Sequence, residues 1–161
     1  MSKKVLIVDD DPDVRLFNAT VVEENGYTPI EAANGEEGLA LIKQDAPDLV
    51  LLDIGLPGMD GMSALREIKD LHPDVLVIMI TAYEDIASVI SAMKLGAYDY
   101  VVKPIHMDSL EMTIRNALET IRLRKEVQLL QERYLRENLP CFIGESNAIQ
   151  DVMAFIEMVA K

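Results

Sequence analysis

The feature that most constrains this chain is an alternation. Short apolar runs at 5–8, 28–32, 49–52, 76–81 and 100–102 are separated by amphipathic stretches at about 12–25, 35–44, 63–71 and 85–95, and a further such stretch starts near Met107. Gly26, Gly35, Gly96, Pro47 and Pro73 punctuate it. Five strand-helix units in succession require crossover connections, and crossovers of this length join parallel strands. Uninterrupted runs such as "LVLL" suit strands covered on both faces. The expected fold is α/β, a doubly wound five-stranded parallel sheet of flavodoxin-like topology, followed by a long C-terminal helix. Such sheets build their sites outside the carboxyl ends of the strands.

That rule selects five residues. The first strand runs into Asp9 and Asp10, the third into Asp53, the fourth into Thr81 and the fifth into Lys103. Any one of them reads equally well as a helix cap, a strand residue or a solvated charge. Their joint placement at strand ends is what points to a site. Adjacent carboxylates repel, and burying them is costly without a cation. An oxygen-rich, net-negative cluster of Asp9, Asp10 and Asp53 suits a hard divalent ion such as Mg2+. With that charge offset, an oxygen of Asp53 can attack phosphorus, Lys103 can pair with the resulting phosphoryl oxygens and Thr81 can hydrogen-bond them.

The set "VDDD", "LLDIGLPGMDG", "TAY" and "GAYDYVVKP" resembles the receiver domain of bacterial two-component response regulators, from Lys3 to about Leu123. The resemblance implies a CheY-like fold in which a sensor histidine kinase phosphorylates Asp53. It implies direct Mg2+ ligation by Asp10, Asp53 and the Gly55 carbonyl, with Asp9 acting through water. Thr81 and Tyr100 would be the switch residues, Lys103 would contact the phosphoryl group, and the Lys103-Pro104 peptide would be cis. Asp11 falls outside this set and reads, with Pro12 and Asp13, as the start of the first helix. Arg15, Asn18 and Val22 on that helix are expected to be exposed and to carry kinase specificity.

From Met107 to Asn138 there is no glycine or proline, and Pro140 follows, so one long helix is predicted. Leu110, Ile114, Ala117 and Ile121 can cover the sheet. Leu123, Val127, Leu130 and Tyr134 repeat the 4-3-4 spacing on a shifted face and read as a dimer seam of coiled-coil type; a helix folding back on its own domain is the competing reading. The fourth helix, fifth strand and fifth helix offer a second face for a homodimer. The final stretch, with apolar spacing at Ile149, Val152, Met153, Ile156 and Val159, resembles the opening of the AAA+ domain of sigma-54-dependent activators of the nitrogen-regulatory-protein-C class. The expected organisation is therefore a receiver at 1–123, a helical linker at 124–140 and the truncated start of that ATPase at 141–161.

Composition excludes several alternatives. A net charge of -13 opposes direct nucleic-acid binding. The single Cys141 forms no internal disulfide and fits a reducing, cytoplasmic setting, and neither a signal peptide nor a membrane span is expected. No G-x-x-x-x-G-K-[ST] loop occurs, so the expectation is a chain that is not an ATPase. A haloacid-dehalogenase-type phosphatase would need a second Asp where Gly55 stands, and a flavin phosphate would be repelled by the three acids after the first strand. The alternative to a working phosphoacceptor is a receiver-linker module that acts mainly through protein-protein contacts.

Overall fold

The computed structural model describes residues 3–82 and 86–138. The order of elements is β1 (Lys4–Val8), α1 (Pro12–Glu24), β2 (Thr28–Ala32), α2 (Gly35–Asp45), β3 (Leu49–Asp53), α3 (Gly61–Leu71), β4 (Leu76–Ala82), α4 (Ile86–Lys94), β5 (Asp99–Lys103) and α5 (Met107–Asn138). All strands are parallel, in the order β2-β1-β3-β4-β5. Direction of winding reverses between β1 and β3, so the crevice where ligands bind in such sheets opens at the ends of these two strands. The anticipated CheY-like architecture is the one observed.

Alternation along each strand divides the core in two. Leu6, Val8, Val50, Leu52, Val77 and Met79 join Leu39 and Ile42 of α2, Leu65 and Ile68 of α3 and Ala92 of α4 in one cluster. Val5, Ile7, Leu49, Leu51, Ile78 and Ile80 are equally buried on the alternate positions, the side served by α1 (Ala19, Val21, Val22) and the first turns of α5. Each fully buried aliphatic side chain contributes about 1.5–3 kcal/mol. The central strand β3 is buried along its whole length, which explains why "LVLL" shows no polar alternation.

Side chains set the helix starts. The Asp11 carboxylate accepts from the Asp13 N–H at 2.9 Å, and Pro12 follows it, so Asp11 caps α1 as expected. Asn34 caps α2 and Asp60 caps α3 in the same way. The third helix thus begins at Gly61, two residues earlier than the periodicity of its apolar residues predicts, because the cap, not the first apolar residue, decides where a helix starts. Lys103-Pro104 is cis, as the resemblance implied.

The chain divides into one compact unit ending at Leu118 and a second beginning at Glu119. In the first, α5 buries Leu110, Ile114, Ala117 and Leu118; Leu118 does the work expected of Ile121, which is only half-buried. In the second, Leu123 and Leu130 are exposed and Val127 and Tyr134 half-buried. Cys141, Pro140 and the apolar series from Ile149 to Val159 lie outside the described residues. Among the described residues, no helix is long and apolar enough to cross a membrane.

Candidate functional site

Parallel register is what assembles the site. Asp53 pairs in register with Ile80, and Lys103 with Ala82, so four neighbouring strands deliver their polar ends to one edge. The carboxylate oxygens of Asp9, Asp10 and Asp53 lie within 4.8 Å of one another. Lys103 reaches across from β5, its Nζ standing 3.2 Å from Asp53 Oδ2 and 3.6 Å from Asp9 Oδ2. Thr81 is buried beside them, its hydroxyl donating to the Ala82 carbonyl at 3.2 Å. Tyr100, on the exposed edge of β5, is 44% accessible.

The two buried acids are held differently. Asp9 is inaccessible to solvent; its Oδ1 accepts from the Asp11 N–H at 2.9 Å, while its Oδ2 is buried with no hydrogen-bond donor. Burial, reinforced by the Asp53 and Asp10 charges, outweighs the Asp11 hydrogen bond and Lys103 and raises the pKa of Asp9 above its ordinary value. Asp53 accepts from the Gly55 N–H at 3.1 Å through Oδ1 and from Lys103 through Oδ2. For Lys103, burial opposes the charge, but the attraction of Asp53 and Asp9 prevails and its pKa is raised. A buried carboxylate oxygen that no hydrogen bond satisfies, with Lys103 Nζ at 3.6 Å and two further carboxylates close by, fits a divalent cation with oxygen ligands.

Two contributors escaped the sequence reading. Gly61, the first residue of α3, lies directly on the backbone of Asp53 and Ile54 and donates its N–H to the Ile54 carbonyl at 3.0 Å. The "MDG" motif carried that signal. Arg15 donates from Nη1 to the Asp9 carbonyl at 2.7 Å, a contact no spacing rule announces. Expectation and structure disagree on α1. Asn18 and Val22 are fully buried and Arg15 is largely covered, because the 15, 18, 22 spacing marks the inward face of the helix. The large hydrophobic side chain that α1 presents to solvent is Leu16, at 65% exposure.

Residues 5–115 match the family model described as the response regulator receiver domain. The chain belongs to that family. This receiver is 38% identical over 161 residues to the nitrogen assimilation regulatory protein NtrX of Azorhizobium caulinodans, covering 99% of this chain and 35% of the relative. It is 35% identical to the DNA-binding transcriptional regulator NtrC of Salmonella typhimurium, covering 98% of this chain and 33% of that protein. The crystal structure of the receiver domain of NtrX from Brucella abortus matches with a TM-score of 0.70 at 40% identity, over 72% of this chain and 98% of that one. The chain thus spans about a third of the length of the curated relatives it matches.

Proposed function

We propose that the chain is a working phosphoacceptor, in which a carboxylate oxygen of Asp53 attacks the phosphorus of a phosphohistidine on a sensor kinase while the bond from phosphorus to the imidazole breaks. The observation that carries this reading is the Lys103 ammonium 3.2 Å from Asp53, with the buried, donor-less Oδ2 of Asp9 beside the pair. Asp10, Asp53 and the Gly55 carbonyl would hold Mg2+, with Asp9 acting through water. The bound ion would supply charge neutralisation for the transferring group. Lys103 then pairs with a phosphoryl oxygen, and Thr81 donates its hydroxyl to another in place of the Ala82 carbonyl.

An apolar groove of about 280 Å3, lined by Asp13, Val14, Phe17, Lys103, Pro104 and Ile105, adjoins the reacting lysine. Exposed Leu16 lies on the same helix, and together they offer the kinase a docking surface. On the output side, movement of Thr81 would let Tyr100 turn inward and reshape the face bearing Ile86, Ile90 and Met93, which are exposed at helical spacing. Residues 1–123 act as the receiver, 124–140 as a linker and 141–161 as the start of an AAA+ domain, and Leu123, Val127, Leu130 and Tyr134, running from the end of the receiver into the linker, form a dimer seam. In the full-length protein the cytoplasmic receiver would control assembly of a sigma-54 activator ATPase.

Acetyl phosphate with Mg2+ tests the core of this reading. The parent chain should gain the mass of one phosphoryl group, and Asp53→Asn, which lacks the nucleophilic oxygen, should gain none. Undiminished labelling of Asp53→Asn refutes the assignment. Thr81→Ala should still take the group but show smaller shifts around Tyr100 in its NMR spectrum; shifts equal to the parent's would remove Thr81 from the switch.

A further inference from the structure

We infer that Arg15 is a positioning residue for the cation site, acting through the backbone of Asp9 and not through its charge. The proposal rests on the reading of Asp9, Asp10 and Asp53 as the Mg2+ site. Arg15 leaves α1 and reaches back to the corner where β1 ends. Its Nη1 donates to the Asp9 carbonyl at 2.7 Å, and its Nε lies 3.7 Å from Oε1 of Glu31 on β2. Its side chain is only 20% exposed, and that of Glu31 48%.

The Asp9 carbonyl belongs to the peptide that joins Asp9 to Asp10. Holding that oxygen fixes the plane of this peptide, and with it the directions in which the two carboxylates leave the backbone. Other contacts fix the rest of the corner: the Asp9 N–H donates to the Ala32 carbonyl at 3.1 Å, and the Asp11 N–H to Asp9 Oδ1 at 2.9 Å. The Arg15 hydrogen bond secures the remaining peptide group between the two acids. It is charge-assisted and short, and the partly covered guanidinium keeps competing water from the carbonyl. Groups that orient metal ligands without touching the metal commonly govern affinity.

Charge and geometry make opposite predictions here, which makes the inference testable. A guanidinium near a cation site repels the cation, so by Coulomb's law alone its removal tightens Mg2+ binding. By positioning, removal loosens it. Titration of the 161-residue chain with Mg2+ by calorimetry should show Arg15→Ala weakened by roughly tenfold or more. Arg15→Lys keeps the charge but not the planar fork and should also be weakened. Glu31→Gln, which leaves the Asp9 hydrogen bond in place, should stay close to the parent.

Acetyl phosphate labelling supplies the second readout. The Mg2+ concentration for half-maximal rate should rise in Arg15→Ala while the rate at saturating Mg2+ returns to the parental value; general damage to the fold would lower that plateau as well. Parental or tighter Mg2+ binding in Arg15→Ala, or a lowered plateau in both Arg15 variants, overturns the inference. A parent chain that binds no Mg2+ or accepts no phosphoryl group instead refutes the proposed function on which it rests.

Discussion

Replacing Gly61 by alanine tests how tightly α3 is seated on the acid strand. A Cβ built at Gly61 would overlap the Asp53 carbonyl oxygen and stand 2.5 Å from Ile54 Cα and 3.0 Å from the Asp53 carbonyl carbon. These are backbone atoms of β3 and its exit, so no rotamer change relieves the overlap; either α3 or the end of β3 must move. Overpacking of this kind costs about 1–3 kcal/mol. Loss of the hydrogen bond from Gly61 to Ile54 would add about 1 kcal/mol, and the better helix propensity of alanine returns at most about 1. The net is a destabilisation of about 2 kcal/mol, or roughly 4–8 °C in a chain of this size.

Gly35→Ala is the matched control. Gly35 is likewise the first residue of its helix after an Asx cap, but a Cβ there would meet Sδ, Cβ and Cγ of Met59 at 3.2–3.3 Å, atoms of a flexible side chain. That variant should lie within about 1 kcal/mol of the parent. Guanidinium denaturation of both, with acetyl phosphate labelling alongside, separates the cases, since Gly61→Ala should also slow labelling by disturbing Asp53. Equal stability losses in the two variants, or no loss in Gly61→Ala, would refute the reasoning.

Three other outcomes follow from the geometry. Ala46 ends α2 in the left-handed region at φ 46°, where a side chain costs roughly 1–2 kcal/mol, so Ala46→Gly should stabilise by about 0.5–1 kcal/mol after the entropy of glycine is counted; a lower denaturation midpoint would contradict this. The Ser63 N–H holds the Asp60 carboxyl below its ordinary 3.8, so the stability that ionised Asp60 provides is present above 3.8 and lost as pH falls through the folded value; the gap between parent and Asp60→Asn should close over that window in acid titrations of stability, and a gap independent of pH would remove the charge from the cap. Leu130 has 61% of its surface left to bury, worth about 1–2 kcal/mol and counted twice across a two-fold seam, so Val127→Glu with Leu130→Glu should halve the sedimenting mass while leaving Asp53 labelling intact; unchanged sedimentation would place any dimer on the face around Tyr100.

The fold was legible because its signals are local and periodic. Runs such as 49–52 suit a strand covered on both faces, glycines and prolines punctuate the amphipathic stretches, and the alternation of the two points to a parallel sheet. Once parallel order is known, the strand-end rule alone brings Asp9, Asp53, Thr81 and Lys103 to one edge, and the structure places them there. The family resemblance added what periodicity cannot supply, the cis peptide before Pro104 and roles for Gly55 and Tyr100. Periodicity also held the answer that the first helix was misread on: the spacing of Asn18 and Val22 is that of a core face, and polarity at Asn18 masked it.

What tertiary structure alone decided are contacts that cross elements without leaving a pattern in any one of them. Arg15 finds the Asp9 carbonyl only because α1 folds back over the end of β1, and Gly61 is compelled to lack a side chain only by the backbone of β3 beneath it. The pKa of Asp9 is likewise a property of the assembled edge, since burial and the charges from β3 and β5 do not exist in the unfolded chain. Sequence carries the periods that set which residues turn inward; the environment each one meets there is fixed only when separate strands and helices close on the same space.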